Sequence, residues 1–173
     1  MAFIIFFLLC KQTFAQPTII LTGTDSLISI GKQIDVFEDP KGSLSFAQIL
    51  SPQYQSRFKQ STQQVPNYGI KQTTVWSRIR IKNLSDKNFV LNVDFPNLDS
   101  VILFQPVNGY YIKQATGRSF PFSKRIIKNR AFIFPLQLKR NEEKEFYLKV
   151  ENHICVFPLY IADMTAISEK QYP

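Results

Sequence analysis

Three side chains on one predicted strand are of types that suit ligand binding. Trp76, Arg78 and Arg80 are spaced two residues apart, so they fall on the same face of a strand. Sugars stack their apolar CH faces on aromatic rings and hydrogen-bond their hydroxyls to charged planar groups, so an indole beside guanidinium groups suits a carbohydrate. The alternative is structural: Trp76 packs under the long polar segment before the strand, and Arg78 pairs with an acid such as Asp99.

Two further candidates lie later in the chain. Arg125 follows an aromatic residue in Phe122-Ser-Lys-Arg and can bind a carboxylate or ligand oxygen through two hydrogen bonds, or it can pin its own loop to the fold. Tyr110 and Tyr111 follow an Asn-Gly turn, so one of them faces outward, either as a stacking platform or as ordinary strand surface. The candidate ligand-binding residues are therefore Trp76, Arg78, Arg80, Arg125 and Tyr110.

Groups suited to catalysis or metal binding are few. The chain has one His, His153, with no second His and no cluster of carboxylates beside it. Glu142-Glu143 lies in a predicted turn, where surface charge is its expected role. Proton transfer, nucleophilic attack and metal binding each require several convergent groups. The sequence therefore predicts that the protein is not an enzyme, with no catalytic residue, no metal site and no cofactor.

The N-terminus has the pattern of a secretory signal. Residues 1–9 are apolar but too few to span a bilayer, which takes about 20 residues, and Ala15 supplies a small residue at a cleavage site. No Lys or Arg precedes the apolar run, and a buried N-terminal strand is the alternative. We predict a signal peptide over residues 1–15 and one exported domain over residues 16–173. Cleavage would leave Cys155 alone, and we expect it in the core.

Length and composition favour one β domain. The chain has 173 residues, enough to close a core without a metal or a disulfide, and its 16 Phe and 7 Tyr favour strands. The formal net charge of +8 would attract nucleic acid, anionic membrane or anionic polymer. Export argues against nucleic acid. No basic run reaches five residues, so we expect most of the charge to be solvated surface.

Strand signals recur at short spacing along the chain. Residues 18–21, 26–30, 73–82, 89–95, 101–107 and 154–161 are apolar or alternating runs bounded by turn residues. Asn108-Gly109 predicts a tight hairpin, and Pro106 before it predicts an edge position or a local break. Residues 131–138 and 145–150 predict a second hairpin.

One short helix is expected early in the chain. Ser45 and Gln48 have the spacing of a capping box, and Pro52 is expected to stop further turns. Residues 53–72 are polar and predict a long surface excursion. Together these features predict an all-β fold, a jelly-roll β-sandwich with one short helix near residues 46–51.

Several segments, in their order along the chain, resemble one family. They are Phe37 to Phe46, Tyr68-Gly69, Thr74 to Asn83, Phe95-Pro-Asn-Leu-Asp99 and Gly117 to Arg125. This set is similar to the second type of extracellular domain on bacterial seven-transmembrane receptors that carry diverse intracellular signalling modules. The resemblance covers roughly residues 28–161. It implies a jelly roll akin to carbohydrate-binding modules, placed in the periplasm, that senses a sugar or related small ligand.

The resemblance leaves two functions open. The first is a periplasmic or extracellular sensory domain that binds a carbohydrate or related small ligand. The alternative is an interaction domain, for receptor dimerisation or partner docking, with no small-molecule ligand. The sequence ends at Pro173 without membrane helices or an output module, as a free-standing binding protein, a gene fragment or an excised domain would. Membrane association through a further C-terminal region is therefore also an expectation.

Overall fold

The computed structural model describes residues 17–24 and 26–169 of the protein. Residues 1–15, the predicted signal peptide, lie outside the described residues. The described strands are β1 (Thr18–Leu21), β2 (Leu27–Ser29), β3 (Asp35–Asp39), β4 (Lys59–Gln60), β5 (Asn67–Asn83), β6 (Phe89–Val93), β7 (Ser100–Val107), β8 (Tyr110–Thr116), β9 (Phe132–Pro135), β10 (Glu143–Val156) and β11 (Leu159–Asp163). The described helices are α1 (Phe46–Ile49), α2 (Pro52–Gln55), α3 (Met164–Glu169) and a 3-10 helix, Phe122–Lys124.

The strands form two sheets that stack as a sandwich. The larger sheet has the order β4-β3-β5-β10-β7-β8. Strand β1 pairs in parallel with the C-terminal end of β5. The smaller sheet has the order β2-β11-β6-β9. Apart from β1, the paired strands are antiparallel. The predicted all-β sandwich is confirmed.

The main hydrophobic core lies between the two sheets. Ile79 of β5 lies opposite Phe146 of β10, and both side chains are buried on the inner face of the larger sheet. The smaller sheet contributes Phe132 and Phe134 from β9 to the same core. Cys155 is buried there too, so its predicted role as a small core residue is confirmed.

A second apolar cluster covers the outer face of the larger sheet. We call it the outer aromatic cluster. Helices α1 and α2 cover this face, with Phe46 and Ile49 of α1 and Tyr54 of α2 packed against it. The sheet thus has hydrophobic side chains buried on both faces near the middle of β5. The buried members of the cluster are Phe37, Ile49, Phe58, Trp76, Ile102, Phe104 and Tyr147.

The covering helices agree only in part with the sequence prediction. The Ser45 hydroxyl and the Gln48 side chain form the expected capping box at the start of α1. Helix α1 ends at Ile49, but Pro52 does not prevent further helical turns. Pro52 lies in the first turn of α2, where backbone N–H groups make no hydrogen bond within the helix, so proline is tolerated there. Residues 53–72 lie mostly at the surface, as predicted, but they also contain most of α2, β4 and the beginning of β5, regular structure that the prediction lacked.

The two predicted hairpins have different outcomes. Asn108 and Gly109 have positive φ angles of 50° and 88° and join β7 to β8, so the first hairpin is confirmed. Pro106 lies where β7 pairs only with β8, which agrees with the predicted edge position. The second hairpin is wrong, because β9 belongs to the smaller sheet and β10 to the larger one. Residues 136–142 therefore cross from one sheet to the other.

Helix α3, which the sequence prediction lacks, is tied to the sandwich by Asp163. One carboxylate oxygen accepts hydrogen bonds from the Thr165 N–H at 3.0 Å and its hydroxyl at 2.9 Å, and the other lies 2.8 Å from Lys87 Nζ. The Lys87 ammonium, followed by the Thr165 N–H, holds the pKa of Asp163 below its usual value. The stability that this shift contributes is present above the ordinary carboxyl pKa and is lost as pH falls through the lower folded-state pKa.

We expect Asp163→Asn to lower the free energy of unfolding by about 1 kcal/mol near neutral pH, since it removes the ion pair and weakens the helix cap. Urea unfolding of wild type and variant, measured over a series of pH values from about pH 7 downwards, gives the effect, and the difference should shrink as pH falls through the lowered pKa of Asp163. Asp86→Asn, in an exposed ion pair with Arg140, is the control. A difference that persists unchanged at low pH would contradict the electrostatic origin.

Candidate functional site

Trp76 does not form an open binding platform. The prediction that its indole faces solvent among cations is wrong, because only 1% of the residue is exposed. Its ring lies 6.2 Å from the Phe46 ring of α1 and 5.8 Å from the Phe104 ring of β7, centroid to centroid. Strand alternation placed Trp76 on the correct face of the sheet, but α1 and α2 cover that face.

Arg78 is held by internal partners rather than presented to a ligand. Its Nη2 lies 2.6 Å from the Asp35 carboxylate of β3, and its Nη1 donates to Gln55 Oε1 of α2 at 2.8 Å. The guanidinium also lies over the Phe58 ring at 4.9 Å. The structural alternative was therefore correct in kind, but the partner is Asp35. Asp99 pairs instead with Arg118.

Arg80 and Tyr110 lie apart from each other and from Trp76. Arg80 lies on β5 directly opposite Glu145 of β10, and its Nη2 lies 2.9 Å from the Glu145 carboxylate, which neutralises its charge. Tyr110 is exposed at the start of β8, whereas Tyr111 packs partly buried against the outer aromatic cluster, so the predicted alternation of these two tyrosines is confirmed. The five predicted site residues are not brought together at one surface.

A different cavity lies at one open edge of the sandwich. It has a volume of about 240 Å³ and is bounded by the end strand β8 of the larger sheet, the end strand β9 of the smaller sheet, and the loop between them. Of the predicted site residues, Arg125 lines it and the other four do not. The lining residues are Lys113, Gln114, Ala115, Thr116, Lys124, Arg125, Ile126, Ile127, Phe132, Ile133 and Phe134.

Three buried polar atoms that lack a hydrogen-bond partner among the described residues belong to side chains of this cavity. They are Gln114 Oε1, Thr116 Oγ1 and Arg125 Nε. Gln114 lies opposite Leu103 and Thr116 opposite Val101 in the β7–β8 register, so both polar side chains share the inner face with core residues. Buried polar groups are normally hydrogen-bonded, so three together in one cavity are unusual.

Arg125 is fixed in place by the loop that carries it. Its Nη1 donates to the carbonyl oxygens of Asn129 and Arg130, and its guanidinium lies 4.9 Å and 4.7 Å from the ring centroids of Phe122 and Phe132. Burial lowers the pKa of Arg125 from its usual value, although an arginine side chain stays charged at neutral pH. Of the two roles predicted for Arg125, pinning the loop is the one these bonds carry out, and its Nε forms no hydrogen bond within the described residues.

The cavity is positively charged and has apolar walls. Lys113, Lys124 and Arg125 line it, and no carboxylate does. Phe132, Phe134 and three isoleucines supply the apolar surface. The cavity can therefore bind a small molecule that carries hydroxyl or anionic oxygen atoms on one side and apolar surface on another.

Groups for bond-making chemistry do not gather at this site. Within residues 17–24 and 26–169, no group of three or more His, Cys, Asp or Glu residues is placed to hold a metal ion. His153 is exposed on β10, outside the cavity. The arrangement is suited to binding a molecule and offers no paired acid and base.

Residues 31–163 match the family model described as 7TMR-DISM extracellular 2. The chain belongs to this family. The resemblance inferred from the sequence is thereby confirmed, and the domain is an extracellular sensory domain of the kind found on membrane receptors. The family is not an enzyme family. No curated protein sequence matches the chain.

The matched region of this 7TMR-DISM extracellular 2 domain contains both the outer aromatic cluster and the β8–β9 cavity. Gly117, one of the residues that carry the resemblance, adopts a φ of 139° at the end of β8, and a Cβ there would lie 2.2 Å from the Asp99 carbonyl oxygen. Only glycine fits this position without moving the backbone. Across the described residues, no helix has the length and apolar character needed to cross a membrane.

Gln114 and Thr116 are the site residues that the sequence prediction missed. The available signal was their two-residue spacing in a strand whose hairpin partner, β7, is apolar at the opposing positions. Polar residues at inward positions of a strand are either errors of register or parts of a site. Finding them required the register of the Asn108-Gly109 hairpin to be followed residue by residue.

Proposed function

We propose that this domain senses a carbohydrate or related small ligand, in the periplasm, for a bacterial signal-transduction receptor, and that the β8–β9 cavity is the binding site. One observation carries the proposal: Gln114, Thr116 and Arg125 line one cavity with apolar walls, and each carries a buried polar atom without a hydrogen-bond partner among the described residues. An unpaired buried polar group costs about 1–3 kcal/mol, so a ligand that pairs all three gains affinity from groups already in place.

The chemistry of the cavity suits a sugar. A ligand hydroxyl can donate to Gln114 Oε1, the Thr116 hydroxyl can donate or accept, and Arg125 Nε can donate to a ligand oxygen. The CH face of a sugar ring can pack on the aromatic wall. At about 240 Å³ the cavity is smaller than the roughly 300–1,000 Å³ of sites for drug-sized ligands, so it fits a monosaccharide or one unit of a longer chain.

The position of the cavity also supports a sensory role. Strands β8 and β9 end the two sheets, and the loop that carries Arg125 connects them. A ligand held by Gln114 and Thr116 on one side and by Phe132 on the other would tie the two sheet edges together. Occupancy would then stabilise this edge and its loop, which gives binding a structural consequence that a receptor can transmit.

The experiment is a thermal-shift screen of neutral and acidic monosaccharides against wild type and the double variant Gln114→Leu/Thr116→Val. A sugar at about 100 times its dissociation constant should stabilise the wild-type domain by about 2.7 kcal/mol. We expect the double variant to lose this stabilisation and yet fold at least as well without ligand, because both substitutions remove unpartnered buried polar atoms.

Tyr110→Ala is the matched control, since Tyr110 lies on the same strand as Gln114 but outside the cavity. We expect this variant to bind like wild type. No stabilisation by any sugar would overturn the carbohydrate proposal. A ligand whose binding survives Gln114→Leu/Thr116→Val but not Tyr110→Ala would move the site to the exposed start of β8.

The alternative function, dimerisation or partner docking without a small ligand, has less support. It requires an exposed apolar patch, and the clearest one on β5 and β10 is the paired Ile70 and Ile154, both exposed. Two side chains are a small part of a stable interface, which buries about 800 Å² per partner. The three unpartnered polar side chains that line the cavity favour ligand binding instead.

A further inference from the structure

The net positive charge of the protein resides in one stretch of sequence. Residues 101–141 contain 8 Lys and Arg residues and no Asp or Glu. The other 13 basic residues are balanced by 13 acidic residues, so this stretch accounts for the whole formal net charge of +8. The positive charge is therefore concentrated in this stretch, although no long run of consecutive basic residues marks it.

Five of these cations lie in the loop between β8 and β9, which we call the cationic loop, residues 118–130. Arg118 is neutralised by Asp99 at 2.6 Å. The other four, Lys124, Arg125, Lys128 and Arg130, form no ion pair with a carboxylate in the part of the chain that the structure describes. The loop thus carries uncompensated positive charge at one end of the sandwich.

The same loop exposes large apolar side chains. Phe122 is 55% exposed and Ile126 is 57% exposed, and Phe120 is also exposed. Exposed Phe and Ile beside lysines combine apolar surface with cations in one short segment. This combination is typical of segments that lie at a membrane surface.

The shape of the cationic loop is fixed by its own cations. Lys128 Nζ donates to the carbonyl oxygens of Phe122, Ser123 and Arg125, and Arg125 closes the far end through its bonds to later carbonyls. These bonds hold Phe122 and Ile126 on the outside of a closed turn. The apolar side chains are therefore presented without a large further cost of ordering the loop on binding.

We propose that the cationic loop docks on the surface of an anionic phospholipid membrane. Phe122 and Ile126 enter the interface, while Lys124 and Arg130 contact the headgroups. An anionic glycan would use the aromatic ring but gain little from the aliphatic Ile126, and an extracellular domain does not meet nucleic acid, so a lipid surface fits the loop best. The proposal does not depend on the ligand-binding function.

Docking would have a structural consequence for the β8–β9 cavity. Lys124, Arg125 and Ile126 belong both to the cationic loop and to the lining of the cavity. A membrane-bound loop would place this cavity beside the lipid surface.

The experiment is co-sedimentation of the full chain with vesicles of equal parts phosphatidylcholine and phosphatidylglycerol, and with vesicles of phosphatidylcholine alone. We expect binding to the anionic vesicles, weak binding to the neutral ones, and loss of binding when salt is raised from about 0.1 M to about 0.5 M. Lys124→Gln/Arg130→Gln should weaken partition roughly twenty-five-fold, since each cation at an anionic surface contributes about five-fold.

The matched charge control is Lys41→Gln/Lys59→Gln, which removes the same charge at exposed positions outside the loop and should leave partition nearly unchanged. Phe122→Ser/Ile126→Ser should weaken binding about ten-fold or more, with Ile70→Ser as the exposed apolar control. Equal binding to neutral and anionic vesicles, equal effects of test and control variants, or no binding to anionic vesicles by the folded wild type would each overturn the proposal. Circular dichroism of every variant verifies the fold.

Discussion

We expect Trp76→Ala to lower the free energy of unfolding by about 3–5 kcal/mol, one of the two largest effects among the variants considered for this domain. The indole is almost completely buried between the larger sheet and α1. Its removal leaves a cavity between Phe46 and the larger sheet, and the Phe46 ring loses its contact with the indole ring. Urea unfolding of the variant and wild type, compared at equal m-values, measures the loss.

Trp76→Phe is the informative partner variant. Trp76 Nε1 is buried and has no hydrogen-bond partner among the described residues, so Phe removes an unpaired donor while keeping most of the ring. We expect it to cost clearly less than Trp76→Ala, within about 1.5 kcal/mol of wild type. A Trp76→Ala variant as stable as wild type but defective in ligand binding would show that the indole acts at an accessible site instead.

The Trp76 result bears on how far the sequence predicts this fold. Two-residue alternation correctly separates Val75 and Ile79, which face the main core, from Trp76 and Arg78 on the other face. Alternation describes a face but not what covers it. The cover comes from α1 and α2, more than 20 residues earlier, and depends on Pro52 beginning a second helix rather than ending the first.

The candidate site was predictable only in part, for a similar reason. Arg125 was identified from its loop motif, and the Asn108-Gly109 turn correctly predicted the β7–β8 hairpin. The partner side of the cavity is β9, which the sequence prediction paired with β10 in one sheet. Its actual place at the edge of the other sheet follows from pairing with β6, a contact between residues about 40 apart that no local pattern encodes.

We expect Asp35→Ala to lower the free energy of unfolding by about 3 kcal/mol. The Asp35 and Arg78 side chains are only 7% and 16% exposed and lie 2.6 Å apart. Removing one partner of a buried ion pair leaves the other charge uncompensated, which typically costs about 3–5 kcal/mol. We place the effect at the lower end because Arg78 keeps its hydrogen bond to Gln55.

The double variant Asp35→Leu/Arg78→Met separates this cost from the net contribution of the pair. Replacing both members of a buried pair by apolar residues of similar size is often neutral or stabilising, so we expect unfolding within about 1 kcal/mol of wild type. Gln55 would still accept a hydrogen bond from the Tyr147 hydroxyl at 3.1 Å, and Met can pack on Phe58 in place of the Arg78 guanidinium. Asp86→Ala, in an exposed pair, should cost less than about 1 kcal/mol and serves as the control.

The double variant Asp35→Leu/Arg78→Met also tests the ligand-binding role that the sequence predicted for Arg78. If Arg78 serves the fold, Asp35→Leu/Arg78→Met should bind ligand like wild type, because the β8–β9 cavity contains neither residue. A stable double variant that loses binding would instead show that the guanidinium contacts the ligand. The outcome depends on one physical point: the charge of Arg78 is matched by Asp35 beneath the covering helices, so little of it is available at the surface.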